Sequence, residues 1–172
     1  MDNGAGGKTG AGRSNGAGGK TGAGRSNEAG KEAGSGGGSG YDPLYVAFLA
    51  YFNRERDYFE CHEVMEQLWL EEGREPLYQG LLQVSVGLYH HRNGNIDGGI
   101  KLLSAALDKL AGYPPVTLGI RLDKLRDDAA AHRDGLAAHA RSPFPFRDID
   151  ILILDPALAA EVDAFRPEEE DA

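Results

Sequence analysis

His62, Glu66 and Trp69 lie within the run His62-Glu63-Val64-Met65-Glu66-Gln67-Leu68-Trp69 at the spacing H-x-x-x-E-x-x-W. On a helix, residues three or four apart share a face, so an imidazole, a carboxylate and an indole would stand one above another. Neutral imidazole and carboxylate suit Zn, Mn, Fe or Ni, and a pair one turn apart sets two donors on one side of an ion. Two ligands make an incomplete site. The metal reading therefore takes His62, Glu66 and His90 as ligands, with Gln83 as a further donor, and Trp69, Gln79 and Gln83 as lining. The alternative is structural: Glu66 fixes the tautomer of His62, or accepts a bond from Gln79 or Gln83, in a polar network that holds two helices in register.

The segment also resembles the zinc helix H-E-x-x-H with glutamate at the second histidine. Glu63, which would have to be the general base, lies about 100° around the helix from His62 and is expected to face solvent. No general base is identifiable, so no reaction follows and enzyme status stays open. Cys61 beside His62 is not a catalytic dyad, because adjacent helical residues diverge. Trp69 and Tyr58 fit a core as well as a ligand cage. His132 and His139 are expected on a half-exposed face, so His62 should matter more than either.

These side chains need helices to position them. A first helix is expected from Pro43 to near Asn53, and a second from an Asp57 cap to Glu72, stopped by Gly73. In the second, Tyr58, Cys61, Met65 and Leu68 share an apolar arc, with His62, Glu66 and Trp69 on its edge. A buried carboxylate there needs a partner. A third helix, from about residue 75 to Arg92, is apolar on most of its circumference and so should be central. Gln79, Gln83 and His90 fall within about 40° of one another on it, flanked by Gly80 and Gly87, and the simplest packing sets that glycine-lined groove against His62 and Glu66. A fourth helix is capped by Asn95 and runs to Gly112 with Ile100, Leu103, Leu107 and Leu110 inward. A fifth is expected from Pro114 to about Arg141. Ile149 to Leu154 reads as an extended arm across the bundle, and Pro156 to Phe165 as a last turn or two.

The expected class is therefore all-α, a single bundle of four to five helices over residues 41–165, with a disordered Gly-rich tail over 1–40 and an acidic end over 166–172. Asn3 to Ser14 is repeated letter for letter by Asn15 to Ser26, without the large apolar side chains that would offset the entropy of ordering. Each copy contains Gly-Lys-Thr. A phosphate loop would need glycine at positions 2 and 14, which are Asp2 and Ser14, so no nucleotide is expected. The 172-residue chain has a net charge of −9; its first forty residues carry five Lys or Arg and three acids, so the remainder bears −11. That disfavours nucleic acid as a partner. No apolar run is long enough for a bilayer and the N-terminal residues are not signal-like, so no membrane is expected. The lone Cys61 excludes an internal disulfide and suits the cytoplasm.

Phe52-Asn53, the H-E-x-x-E-x-x-W of His62 to Trp69, Gln79-Gly-Leu-x-Gln83, Leu88-Tyr-His90 and Gly94-Asn95 together resemble domain-of-unknown-function family 309, small helical proteins of bacteria and archaea. The resemblance covers about 60 residues. It implies the family motif H-x-x-x-E-x-x-[WY] at His62, Glu66 and Trp69, and divalent metal binding without an assigned activity or substrate. A second class of function is a tetratricopeptide-like module for a protein or peptide partner, since Val86, Gly87, Gly99, Leu103 and Ala106 have the spacing of such a helix pair. A closed pocket on His62 and Glu66 would favour a small-molecule or metal site; an exposed groove with apolar anchors would favour the module.

Overall fold

Asp42 accepts a hydrogen bond from Leu44 N–H at 2.8 Å and Pro43 follows it, so the chain enters its first helix with an orphan donor satisfied and φ already set. The computed structural model describes residues 40–168. Among them are α1 (Pro43–Ala50), a π-helical turn (Tyr51–Glu55), α2 (Tyr58–Glu71), α3 (Pro76–Arg92), α4 (Ile96–Leu110), the strands β1 (Val116–Thr117) and β2 (Ile120–Arg121), α5 (Leu122–Ala137) and α6 (Pro156–Ala164). The class is all-α, as expected. Among the described residues the α-helices number six because the anticipated last turn or two is a full nine-residue helix, capped by Asp155. The Gly-rich segment up to residue 39 and the acidic residues 169–172 lie outside the described residues. No helix among the described residues is long and apolar enough to cross a membrane.

Each helix packs on a neighbour in sequence: α1 on α2, α2 on α3, α3 on α4 and α4 on α5, while α6 returns to α1. The core follows the expected arcs. Tyr58, Cys61, Met65 and Leu68 of α2 are buried with Leu81, Val84 and Leu88 of α3 and Leu103, Ala106 and Leu110 of α4. Each large side chain contributes on the order of 2 kcal/mol by leaving water. Asp57 caps α2 by accepting from Glu60 N–H at 3.1 Å, and Asn95 caps α4 by accepting from Gly98 N–H at 2.9 Å. Beyond α2, Gly73 and Arg74 both take left-handed backbone (φ 69° and 64°), and Arg74 N–H closes back on Trp69 C=O at 2.8 Å.

Three expectations need correction. The fifth helix begins at Leu122, not Pro114: the two prolines lead into a hairpin whose turn, Leu118-Gly119, has φ of 50° and 73°, the handedness a two-residue hairpin requires. Strands of two residues are too short to show alternation in the sequence. Second, the first helix widens into the π turn over its last expected residues. There Asn53 accepts from Ile151 N–H at 2.8 Å and donates to Ile151 C=O at 2.7 Å, pairing like a strand with the extended arm. The arm itself is as expected, with Ile149 and Ile151 buried and Ile153 bridging to Ile120. Third, the glycines of α3 admit α4 instead of α2. A Cβ at Gly80 would lie 2.7 Å from Leu110 Cγ and one at Gly87 would lie 2.8 Å from Leu103 Cγ. The glycine stripe thus sets the α3–α4 crossing and leaves the Gln79 and Gln83 stripe to face α2.

A candidate ligand cleft

A cleft of about 250 Å³ is lined by His62, Glu66 and Trp69 of α2, by Gln79, Leu82, Gln83 and Val86 of α3, and by Leu102 of α4. Five of the six residues singled out in the sequence meet here. They do so because the apolar arc of α2 is buried against α3, which turns the edge of that arc toward the polar stripe of its neighbour. His62 Nε2 stands 3.3 Å from Glu66 Oε2 and its Nδ1 stands 3.2 Å from Glu63 Oε1. The pair is at the rim: the His62 and Glu66 side chains are 35% and 47% exposed. Deeper in the wall, Trp69 Nε1 and Gln83 Oε1 are buried with no hydrogen-bond partner. One is a donor and the other an acceptor. Arg74 lies 5.6 Å from the centre of the Trp69 ring.

His90 does not line the cleft. Its Nδ1 is 3.4 Å from Asn95 Nδ2 at the far end of α3, and its ring neighbours that of Tyr89, itself 6.4 Å from Phe59. The angular alignment with Gln83 was sound, but seven residues of helix rise about 10 Å, which carries His90 past His62 to the level of Phe59. Among the described residues no group of three or more His, Cys, Asp or Glu is placed to hold a metal ion. The set His62, Glu66 and His90 is therefore not gathered. What remains for a cation is two protein donors.

A second polar arrangement was not foreseen. His132 was expected on a half-exposed face and is instead 1% exposed. Its Nε2 lies 2.7 Å from His91 Nδ1, and His91 Nε2 lies 3.1 Å from the carbonyl of Phe144. A carbonyl only accepts, so in the neutral pair the protons are ordered: His91 Nε2–H donates to Phe144, and His132 Nε2–H donates to His91 Nδ1. His132 Nδ1 is then a buried lone pair, and it has no partner. Phe144 stacks on His91 at 5.5 Å with Phe146 edge-on at 5.4 Å. Burial lowers the His132 pKa to about 4, assisted by His91 and Arg147, and lowers that of His91 as well. One signal was available, since His132 lies on the stripe of Leu125, Ala129 and Leu136 at helical spacing. Cys61 has no reactive character: it is fully buried, its Sγ faces Phe48 C=O, and burial pushes the thiol up.

The cleft and its supports define a small helical domain with a polar-edged site. Residues 45–102 match the family described as "Domain of unknown function (DUF309)". The likeness read from the motifs holds over the segment that carries them, about a third of the chain. It is 39% identical over 70 residues to the uncharacterized protein YpuF of Bacillus subtilis (strain 168), covering 39% of this chain and 40% of that protein. It is 29% identical over 73 residues to an uncharacterized protein of Aquifex aeolicus (strain VF5), covering 41% of this chain and 22% of that protein. The chain thus matches less than half the length of these curated relatives. All eight residues that line the cleft fall inside the matched segment; His132, Phe144 and Ile151 fall outside it.

Proposed function

We propose that the cleft between α2, α3 and α4 is the functional site of this domain and that it binds a small molecule. The observation that carries this reading is the pair of buried, unpartnered polar atoms of opposite hydrogen-bonding sense, Trp69 Nε1 and Gln83 Oε1, in the wall of one concave site. A buried polar atom without a partner costs about 1–3 kcal/mol, and such a cost persists where a ligand or an ordered water removes it. The structural alternative accounts for His62 Nε2 and Glu66 Oε2, which stand 3.3 Å apart, but gives these two buried atoms no partner. The lone, buried Cys61 suits a reducing compartment, and we place the domain in the cytoplasm.

A divalent transition metal is a second reading, favoured by His62 Nε2 and Glu66 Oε2 at 3.3 Å. With two protein ligands it would be exchangeable and would keep open positions for water or for the bound molecule. No base placed to activate such a water is in the lining.

Nuclear magnetic resonance of the full chain tests the first reading, because Trp69 is the only tryptophan and its indole N–H gives one resolved signal. A library of small polar fragments should contain members that move this signal in the wild type and leave it still in Gln83→Met. If no fragment moves it, the cleft is not a ligand site. For the second reading, elemental analysis should find more metal on the wild type than on His62→Ala; equal content, with no change in Tm on adding zinc or manganese, removes it.

A further inference from the structure

Charge and donor pattern restrict what the cleft accepts. No Lys or Arg is among its eight lining residues, and Glu66 is the lining carboxylate, with Glu63 beside His62 at the rim. The chain as a whole is at −9. A phosphate or carboxylate would therefore enter with no Lys or Arg in the lining to replace its water and with a carboxylate against it, Arg74 lying on the Trp69 ring and outside the lining. The remaining polar atoms fall in two groups. Glu66 lines the cleft with one oxygen, Oε2, 3.3 Å from His62 Nε2, and Gln83 Oε1 is an unpartnered acceptor; both side chains accept N–H or O–H groups. Trp69 Nε1 calls for an oxygen. Leu82, Val86 and Leu102, with the indole ring, supply an apolar surface between them. At about 250 Å³ the cleft lies below the range of roughly 300–1,000 Å³ usual for drug-sized ligands, so the molecule is small.

We propose that the occupant is a short aliphatic amine that also carries a hydroxyl or carbonyl oxygen. This rests on the cleft being a ligand site and adds the chemical class. An ammonium group has three donors and no acceptor, which matches Glu66 and Gln83 together; the ligand oxygen receives Trp69 N–H, and the carbon chain lies on Leu82, Val86 and Leu102. Charge-assisted bonds to Glu66 supply the preference over a neutral molecule of the same shape.

The test titrates the full chain with four probes of four carbons each, aminobutanol, butylamine, butanol and butyrate, reading Trp69 fluorescence and its indole N–H shift. Aminobutanol should bind at least about tenfold more tightly than butyrate and several-fold more tightly than butanol. Glu66→Gln, a change at a half-exposed side chain, should bring aminobutanol and butanol to within about twofold of each other. Gln83→Met should weaken aminobutanol while Tm confirms that the variant is folded. If butyrate or butanol binds as well as the amines, the amine class is wrong and the cleft reading stands. If none of the four moves Trp69 although the fragment library does, the amine class again fails alone. If neither the probes nor the library moves it, both fail.

Discussion

His132 donates through Nε2–H to His91 Nδ1 across 2.7 Å, in a pocket closed by Phe144 and Phe146. The arrangement favours two neutral rings. Adding a proton at His132 Nδ1 would bury a charge, and adding one at His91 Nδ1 would break the bond between them.

The pH dependence of stability follows. The His132 pKa is about 4 in the folded chain against 6.5 for the free side chain. Between those values the unfolded state holds more protons, so stability rises with pH across this window. The contribution is complete above about pH 6.5 and is lost as pH falls toward about 4, with a drop on the order of 2 kcal/mol between about pH 7 and about pH 5. Urea unfolding of the wild type and of His132→Gln across this range checks it. The variant should be less stable at neutral pH and should show a flatter pH slope.

Asn53 and Ile151 predict a second effect. Replacing Asn53 by Ala removes the donor and the acceptor that tie the arm to the π turn, leaving both backbone groups of Ile151 without those bonds. A loss of about 2 kcal/mol is expected. Asn53→Asp keeps only the bond from Ile151 N–H and should not restore the wild-type urea midpoint, because a carboxylate cannot donate to the carbonyl.

Gly87→Ala should lower stability by about 1–3 kcal/mol, because the new Cβ meets Leu103 Cγ at 2.8 Å and Leu103 N at 3.4 Å, and neither can retreat without moving α4. Gly73→Ala adds a Cβ in open space but at φ 69°, so its cost is one of backbone strain. A melt of both variants separates the two causes: Leu103→Ala should relieve part of the first and none of the second.

Much of this was legible in the sequence where a local rule operated alone. The α2 arc, the caps at Asp57 and Asn95, the stop at Gly73 and the meeting of His62, Glu66, Trp69, Gln79 and Gln83 all follow from helical periodicity and turn chemistry. The misses share a different origin. His90 was placed by angle without regard to the axial rise of the helix. The glycines of α3 were read as an opening toward α2 although nothing local says which neighbour a small residue admits; Leu103 and Leu110, seven apart like Gly80 and Gly87, identify α4 only once the helices are docked. His91 and His132 are 41 residues apart, and their pairing depends on where the Phe144 segment lies.

The most direct measurement of the central claim is the stability of ligand-free Gln83→Met. If Gln83 is kept for a ligand, its buried oxygen has no partner in the free protein, and an apolar side chain of similar size should raise the unfolding free energy by about 1 kcal/mol while abolishing the Trp69 response to fragments. If Gln83 instead belongs to a network that holds α2 and α3 together, the same substitution lowers the unfolding free energy by about that amount and the claim fails.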